Sequence, residues 1–222
     1  MKELLKLSLT LGAVGTVAAA VRAYADTATK PARERKALEQ RQQALQRVLP
    51  PFSNQPAQDV VAVGDAPREV KFYRARRDGE ITAVAAETAS SRGYGGNLNV
   101  LIGFKTDGSI RAVMVTDHSE TPGLGTKATD RADKKTLWEA LSGMGNGKTE
   151  NKSNESEALP PNPYLDQYEK YTASKAPFKV KKDGGRIDAV SGATVSSRAV
   201  AHAVTKASMA FTKNKERILG KS

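Results

Sequence analysis

Residues 97–118 read NLNVLIGFKTDGSIRAVMVTDH, two β-rich runs on either side of Asp107-Gly108. An Asp-Gly pair between apolar runs is a strong hairpin signal, because both residues tolerate the positive φ that a tight two-residue turn requires. This stretch therefore commits the chain to an antiparallel ladder, and the rest of the fold is read outward from it. Upstream, VKFYRAR (70–76), a turn at Asp78-Gly79 and EITAVAAET (80–88) extend the ladder, so residues 70–116 read as an antiparallel meander. Downstream, FKVKKDGGRIDAV (178–190) reads as a further hairpin. SSRAVAHAVTKASMAFTKNKERIL (196–219) reads as a helix with Val200, Ala203, Val204, Ala207 and Phe211 on one face, small enough to lie close on a sheet. Between them, DKKTLWEALSG (133–143) reads as a short helix ending at Gly143, and NGKTENKSNESEALPPNP (146–163) as a polar loop. The expected class is α+β, with helices packed on a largely antiparallel sheet.

The N-terminal end has a different character. LSLTLGAVGTVAAAV (7–21) carries no charge and is flanked by Lys2, Lys6 and Arg22. With Lys6 and Arg22 snorkelling, the usable helix extends from Leu4 to Ala25, long enough for one transmembrane helix. Its Gly12, Ala13 and Gly15 would pack on other membrane proteins of an assembly. The rival is a secretory signal cleaved after AYA (23–25), with Arg22 beside that site arguing against it. PARERKALEQRQQALQRVLPP (31–51) reads as a helix with Pro31 in its first turn, a narrow stripe of Leu38, Leu45, Val48 and Leu49, and a stop at Pro50-Pro51. The expected organisation is a transmembrane anchor over residues 1–25, a linking helix over 26–51 and one domain over 52–222.

Composition narrows the chemistry. The chain of 222 residues has no cysteine and two histidines, which excludes thiolate-held iron–sulfur clusters and makes a multi-histidine metal site a poor reading; no metal is expected. Redox chemistry, if any, must come from an organic cofactor. A net charge of +11 invites a nucleic-acid reading, yet aromatics are only 5%, too few to interleave with the basic residues, so no nucleic acid is expected. The excess charge suits anionic headgroups, an acidic partner or a solvated helix face.

DAVSGATVSS (188–197) lies where a strand gives way to the last helix. Free backbone N–H groups and the positive end of the helix dipole point outward at such a junction, which makes it a place for a phosphate. Gly192 and Ala193 remove bulk from the approach, while Thr194, Ser196 and Ser197 add hydroxyls at the entrance. Read alone, the stretch is equally an N-cap followed by a small-residue packing site. HSETPGLGTK (118–127) is the second unusual loop: Pro122, Gly123 and Gly125 bend the backbone and leave Leu124 isolated, a surface for a flat ring or simply a turn leaving a hairpin. SRGYGGNL (91–98) is a third, a glycine-rich turn with one aromatic, Tyr94.

DAVSGAT (188–194) and ETPGLG (120–125), in this order and followed by this helix, resemble the two motifs of the covalent FMN-binding domain family. Together with the N-terminal apolar run and GYGG (93–96), the likeness covers nearly the whole chain. It is greatest to the G subunits of Rnf-type electron-transport complexes; the C subunit of the Na+-translocating NADH:quinone reductase is the alternative within it. The resemblance implies FMN attached to Thr194 through a phosphoester, placed there by a flavin transferase that uses FAD and recognises the segment from Asp188. It further implies Ser191, Gly192, Ala193, Ser196 and Ser197 around the phosphate, with Glu120, Thr121, Gly123, Leu124, Gly125 and more weakly Tyr94 at the ring. His118 and His202 are read as structural.

With no Gly-x-Gly-x-x-Gly nicotinamide motif and no evident acid–base pair, a tethered flavin suits passing electrons rather than transforming a metabolite. The resemblance supplies the setting: a redox subunit, without catalysis of its own, in a complex coupling ferredoxin and NAD electron transfer to Na+ or H+ translocation. Its partners would be the other membrane subunits of that Rnf-type complex. Its expected place is the bacterial inner membrane, crossed once, with the soluble domain on the periplasmic side. The contrasting expectation from the residues alone is a basic, membrane-anchored adaptor without cofactor, in which both motifs are plain turns.

Overall fold

The computed structural model describes residues 2–64, 69–131 and 159–220, with the side chains of residues 2–5, 7–10, 13 and 34 outside the description. The short helix and most of the polar loop expected within residues 133–158 lie outside the described residues.

Among the described residues five strands form one sheet, β1 (Val60–Val63), β2 (Val70–Arg77), β3 (Glu80–Gly93), β4 (Gly96–Lys105) and β5 (Ile110–His118), and a single helical turn, α2 (Thr126–Thr129), follows the last of them. They lie in sequence order and every neighbouring pair is antiparallel, the meander expected from the two Asp-Gly turns. Asp78 and Gly79 take φ of 53° and 85°, the positive values that let so tight a connection follow the strand twist. β1 is an addition: its four residues pair only with β2, as an edge strand too short to stand out in the sequence.

Alternation along the strands gives the sheet two apolar faces. Phe72, Val84, Ala86, Val100, Ile102 and Phe104 look one way, where α3 (Thr194–Lys213) covers them with Val200, Ala203, Val204, Ala207 and Phe211, the stripe read from the sequence. Phe211 stacks on Phe104 with ring centroids 5.0 Å apart, and α4 (Lys215–Leu219) closes that layer with Ile218. Tyr73, Ala75, Ala83, Ala85 and Leu101 look the other way, and Ala44, Leu45, Val48 and Leu49 pack on them. Gly103 makes this second contact possible, since a Cβ there would stand 2.3 Å from the Val48 carbonyl oxygen.

Those covering residues end α1 (Lys2–Val48), which corrects two expectations. The helix runs straight through Pro31 rather than starting there. Proline removes one N–H from the ladder, but side chains hold the turns before it. Thr27 and Thr29 hydroxyls donate to the Ala23 and Ala25 carbonyls, and Arg33 donates to the Asp26 carbonyl and carboxylate. Second, among the described residues no helix is long and apolar enough to cross a membrane. Arg22, Asp26 and Lys30 bring a charge to each turn after the apolar run, and the early side chains of the expected transmembrane helix lie outside the description. By internal contacts the chain divides into residues 1–42, whose described part is helix alone, and residues 43–222, which hold the sheet and its covers.

The chain returns to the sheet at residues 159–170, held by Arg131. Its Nη1 donates to the Pro160 carbonyl (2.9 Å) and to Asp166 (2.7 Å), while Nε and Nη2 both donate to the Val113 carbonyl. The hairpin expected over residues 178–190 is corrected to a tighter feature. The 3-10 turn Lys181–Asp183, ended by Gly184 at φ of 75°, turns the chain so that Val180 and Ile187 meet in a single parallel bridge instead of as the antiparallel arms of a hairpin.

Candidate functional site

The first turn of α3 is shaped by a hydroxyl that does not face solvent. Ser197 is fully buried; its Oγ accepts the Val190 N–H (3.1 Å) and donates to the Ala193 carbonyl (2.9 Å), tying the helix to the bend before it. The Tyr164 hydroxyl donates to the Ser197 carbonyl at 2.6 Å and pairs with the Tyr168 hydroxyl; burial pushes both phenols well above their ordinary pKa. The bend delivers Ser191 and Gly192 to the surface and Thr194, half-buried, to the first helical position. No side chain caps this N-terminus, at Ala193, and its first turn holds no acidic residue. Its outward N–H groups and dipole are thus available to an anion.

Three loops meet here. Gly192 has φ of 79°, and a Cβ on it would stand 3.3 Å from Leu124 Cδ2, so the loop of residues 121–125 lies beside the helix entrance. Leu124 is 50% exposed, next to exposed Thr121, Pro122 and Gly123. Tyr94, 74% exposed, tops the β3–β4 turn, and Gly95 presses that turn so close to Ser119 that a Cβ would stand 1.8 Å from the Ser119 carbonyl oxygen. Between the loops lies Glu120, only 6% exposed. Ser196 Oγ donates to its Oε2 at 2.7 Å, and Gly93 and Gly125 flank the carboxylate.

The sequence-selected residues therefore divide by direction. Ser191, Gly192, Thr194, Thr121, Gly123, Leu124 and Tyr94 are reachable from outside, whereas Ala193, Gly125, Glu120, Ser196 and Ser197 are buried beneath them. The hydroxyls of Ser196 and Ser197 are engaged with protein partners, so what these two offer outward is backbone. Asp188 stands at the surface with its carboxylate on Lys181 (2.7 Å), and its backbone N–H and C=O bond to the Gln167 amide.

His118 braces the same cluster. Its Nδ1 accepts the Glu120 N–H (3.2 Å), which requires an unprotonated Nδ1 and leaves Nε2 to donate to Asp130. His202, by contrast, lines a groove of about 530 Å³ beside α3, with Arg92, Phe178, Lys179, Val195 and Arg198. Burial there lowers the imidazole pKa, and the Arg92 and Lys206 charges lower it further. The sequence reading missed this groove. Val195, Arg198 and His202 do share one helix side, but the wall facing them comes from residues 177–183, which no local pattern joins to α3.

A half-buried hydroxyl at an uncapped helix entrance, with small residues around it and an apolar side chain alongside, fits a phosphate bearing a flat ring. Among the described residues no group of His, Asp and Glu is arranged to hold a metal ion. The model of the FMN-binding domain family matches residues 93–208, from the glycine turn into α3, and so reaches all three loops. Among similar proteins is the G subunit of the ion-translocating oxidoreductase complex of Erwinia tasmaniensis, 30% identical over 210 residues, covering 92% of this chain and 88% of that protein. The protein of the same name from Vibrio cholerae is 33% identical over 171 residues, covering 74% of this chain and 69% of that protein. The helix entrance, the loop against it and the turn above them thus lie within a single matched domain, and the chain belongs to the FMN-binding domain family.

Proposed function

We propose that this chain is the electron-carrying redox subunit of an ion-translocating oxidoreductase complex of Rnf type, with FMN joined to Thr194 by a phosphoester. The observation that carries the reading is the uncapped entrance of α3 with the Thr194 hydroxyl at its first helical position. Bound FMN supplies the one- and two-electron chemistry. The protein's part is to hold it: the backbone N–H groups of Gly192, Thr194, Val195 and Ser196 would face the phosphate, that of Ala193 being spent on the Val190 carbonyl, and Leu124 and Tyr94 would offer apolar surface to the ring. Attachment leaves the phosphate one negative charge in place of two, which the dipole of a 20-residue helix stabilises.

The attachment step has FAD as donor. The Thr194 oxygen bonds to the flavin-side phosphorus, the phosphoanhydride bond breaks, AMP leaves, and the hydroxyl proton passes to a base of the transferase. Asp188, exposed on the approach to the helix entrance, is the residue offered to that transferase. The reading also includes attachment to the membrane part of the complex through the start of α1, with the flavin domain on the periplasmic side. The charge-free run of residues 7–21 between Lys6 and Arg22 supports the attachment alone, and the side is taken from the resemblance. Coupling of ferredoxin and NAD electron transfer to Na+ or H+ movement would be a property of that whole complex.

The test is direct. Protein from cells containing a FAD-dependent flavin transferase should give a denaturing-gel band fluorescent under ultraviolet light, and Thr194→Ala should abolish it. A dark wild-type band, or fluorescence that survives the substitution, overturns the assignment.

A further inference from the structure

Glu120 is buried, yet its carboxylate does not face the exposed surface where Leu124 and Tyr94 lie. It points inward, into a space that three segments keep clear. A Cβ on Gly93 would stand 2.5 Å from Oε1, and a Cβ on Gly125 would stand 2.6 Å from Oε2. Ser196 Oγ donates to Oε2 at 2.7 Å across 76 residues of sequence. The Glu120 backbone is itself held, through its N–H to His118 Nδ1, and His118 is held by Asp130. A chain of bonds therefore runs from Asp130 through His118 and Glu120 to the third residue of α3.

We infer that Glu120 is a positioning residue which, through Ser196, sets the rotation of the first turn of α3 and so aims the Thr194 hydroxyl outward. The helical repeat supplies the link. Residues two apart on an α-helix point about 160° from one another, so a helix that keeps Ser196 inside must present Thr194 outside. A polar anchor suits the task better than an apolar one, because a hydrogen bond has direction whereas apolar packing leaves a terminal turn free to roll. The position also answers the electrostatics. The first turn of α3 has no acidic residue, and Glu120 brings a carboxylate to it from another segment. A buried carboxylate is costly unless bonded, and here two glycines give it room and one serine a bond. This inference rests on the reading that Thr194 receives the flavin.

The experiment follows initial flavin attachment to the full-length chain, by fluorescence of the denatured band, with a FAD-dependent flavin transferase and varied FAD. Ser196→Ala and Glu120→Ala should each slow attachment about tenfold or more at saturating FAD, with the half-saturating FAD concentration unchanged. Glu120→Gln should stay within about threefold of wild type, because its amide oxygen still accepts the Ser196 hydroxyl. The double Ala variant should be no slower than the slower single, as for two ends of one interaction. Ser208→Ala, which removes another buried hydroxyl of α3, should attach flavin at the wild-type rate. Thermal melts by circular dichroism accompany each variant; should Glu120→Ala fail to melt cooperatively, Ser196→Ala decides alone. Wild-type rates in Ser196→Ala, additive losses in the double variant, or loss in Glu120→Gln equal to that in Glu120→Ala overturn the inference while leaving the flavin reading intact. A wild-type chain that takes up no flavin overturns that reading instead.

Discussion

Gly192, just before α3, and His202, within it, respond to different perturbations. Gly192→Ala places a Cβ at φ of 79° and 3.3 Å from Leu124 Cδ2, so backbone strain and crowding act together. It should cost about 1–2 kcal/mol of stability by urea denaturation and slow flavin attachment, since the Cβ intrudes where a phosphate would approach. His202 is a pH effect. Its pKa is lowered in the fold by burial and by the Arg92 and Lys206 charges, so the unfolded chain binds the proton more tightly. The contribution of the neutral imidazole is complete above the ordinary value of 6.5 and is lost as pH falls below it through the lower folded value. Wild type should therefore lose more stability than His202→Gln between pH 7 and pH 5, measured as the difference between their urea midpoints. Equal losses would remove His202 as the cause.

Elements were legible where a local rule decides them. The Asp-Gly turns and the stripe of α3 obey such rules, and both are found where the sequence put them. Pro31 misled because the rule that proline starts a helix ignores side chains two and four residues earlier that hold the preceding turns. Residues 178–190 misled because glycines beside a β-rich run signal a hairpin as readily as a single pinched bridge. Glu120 was legible as part of a loop but not as buried, because its burial is made by Gly93 and Ser196, far away in sequence. Gly103 was equally silent in the sequence. It stands in an apolar strand where any small residue would read as neutral, yet Gly103→Ala would drive a Cβ to 2.3 Å from the Val48 carbonyl oxygen. Backbone cannot yield there as a long side chain would, so the last turn of α1 must lift from the sheet. The expected cost is about 1–3 kcal/mol, read from the shift in urea midpoint.

At the scale of the molecule, the division of α1 matters more than its length. Residues 1–42 form one unit and residues 43–222 the other, so the boundary falls inside the helix, just before Ala44 and Leu45. The turns after that boundary belong to the core: Leu45, Val48 and Leu49 are buried and cover the sheet face opposite α3. Two truncations separate these parts. A chain beginning at Gln43 keeps the cover and should melt cooperatively within a few degrees of the full chain. A chain beginning at Pro51 loses four buried side chains, of which Leu45, Val48 and Leu49 each contribute about 2 kcal/mol by burial, and exposes Tyr73, Ala75, Ala85 and Leu101 to water. Its loss of about 6 kcal/mol approaches the whole stability of an ordinary domain, so it should unfold or aggregate at room temperature. Circular dichroism melts of the two fragments decide the point: equal melting temperatures would mean that the end of α1 is dispensable, and that the second sheet face tolerates solvent.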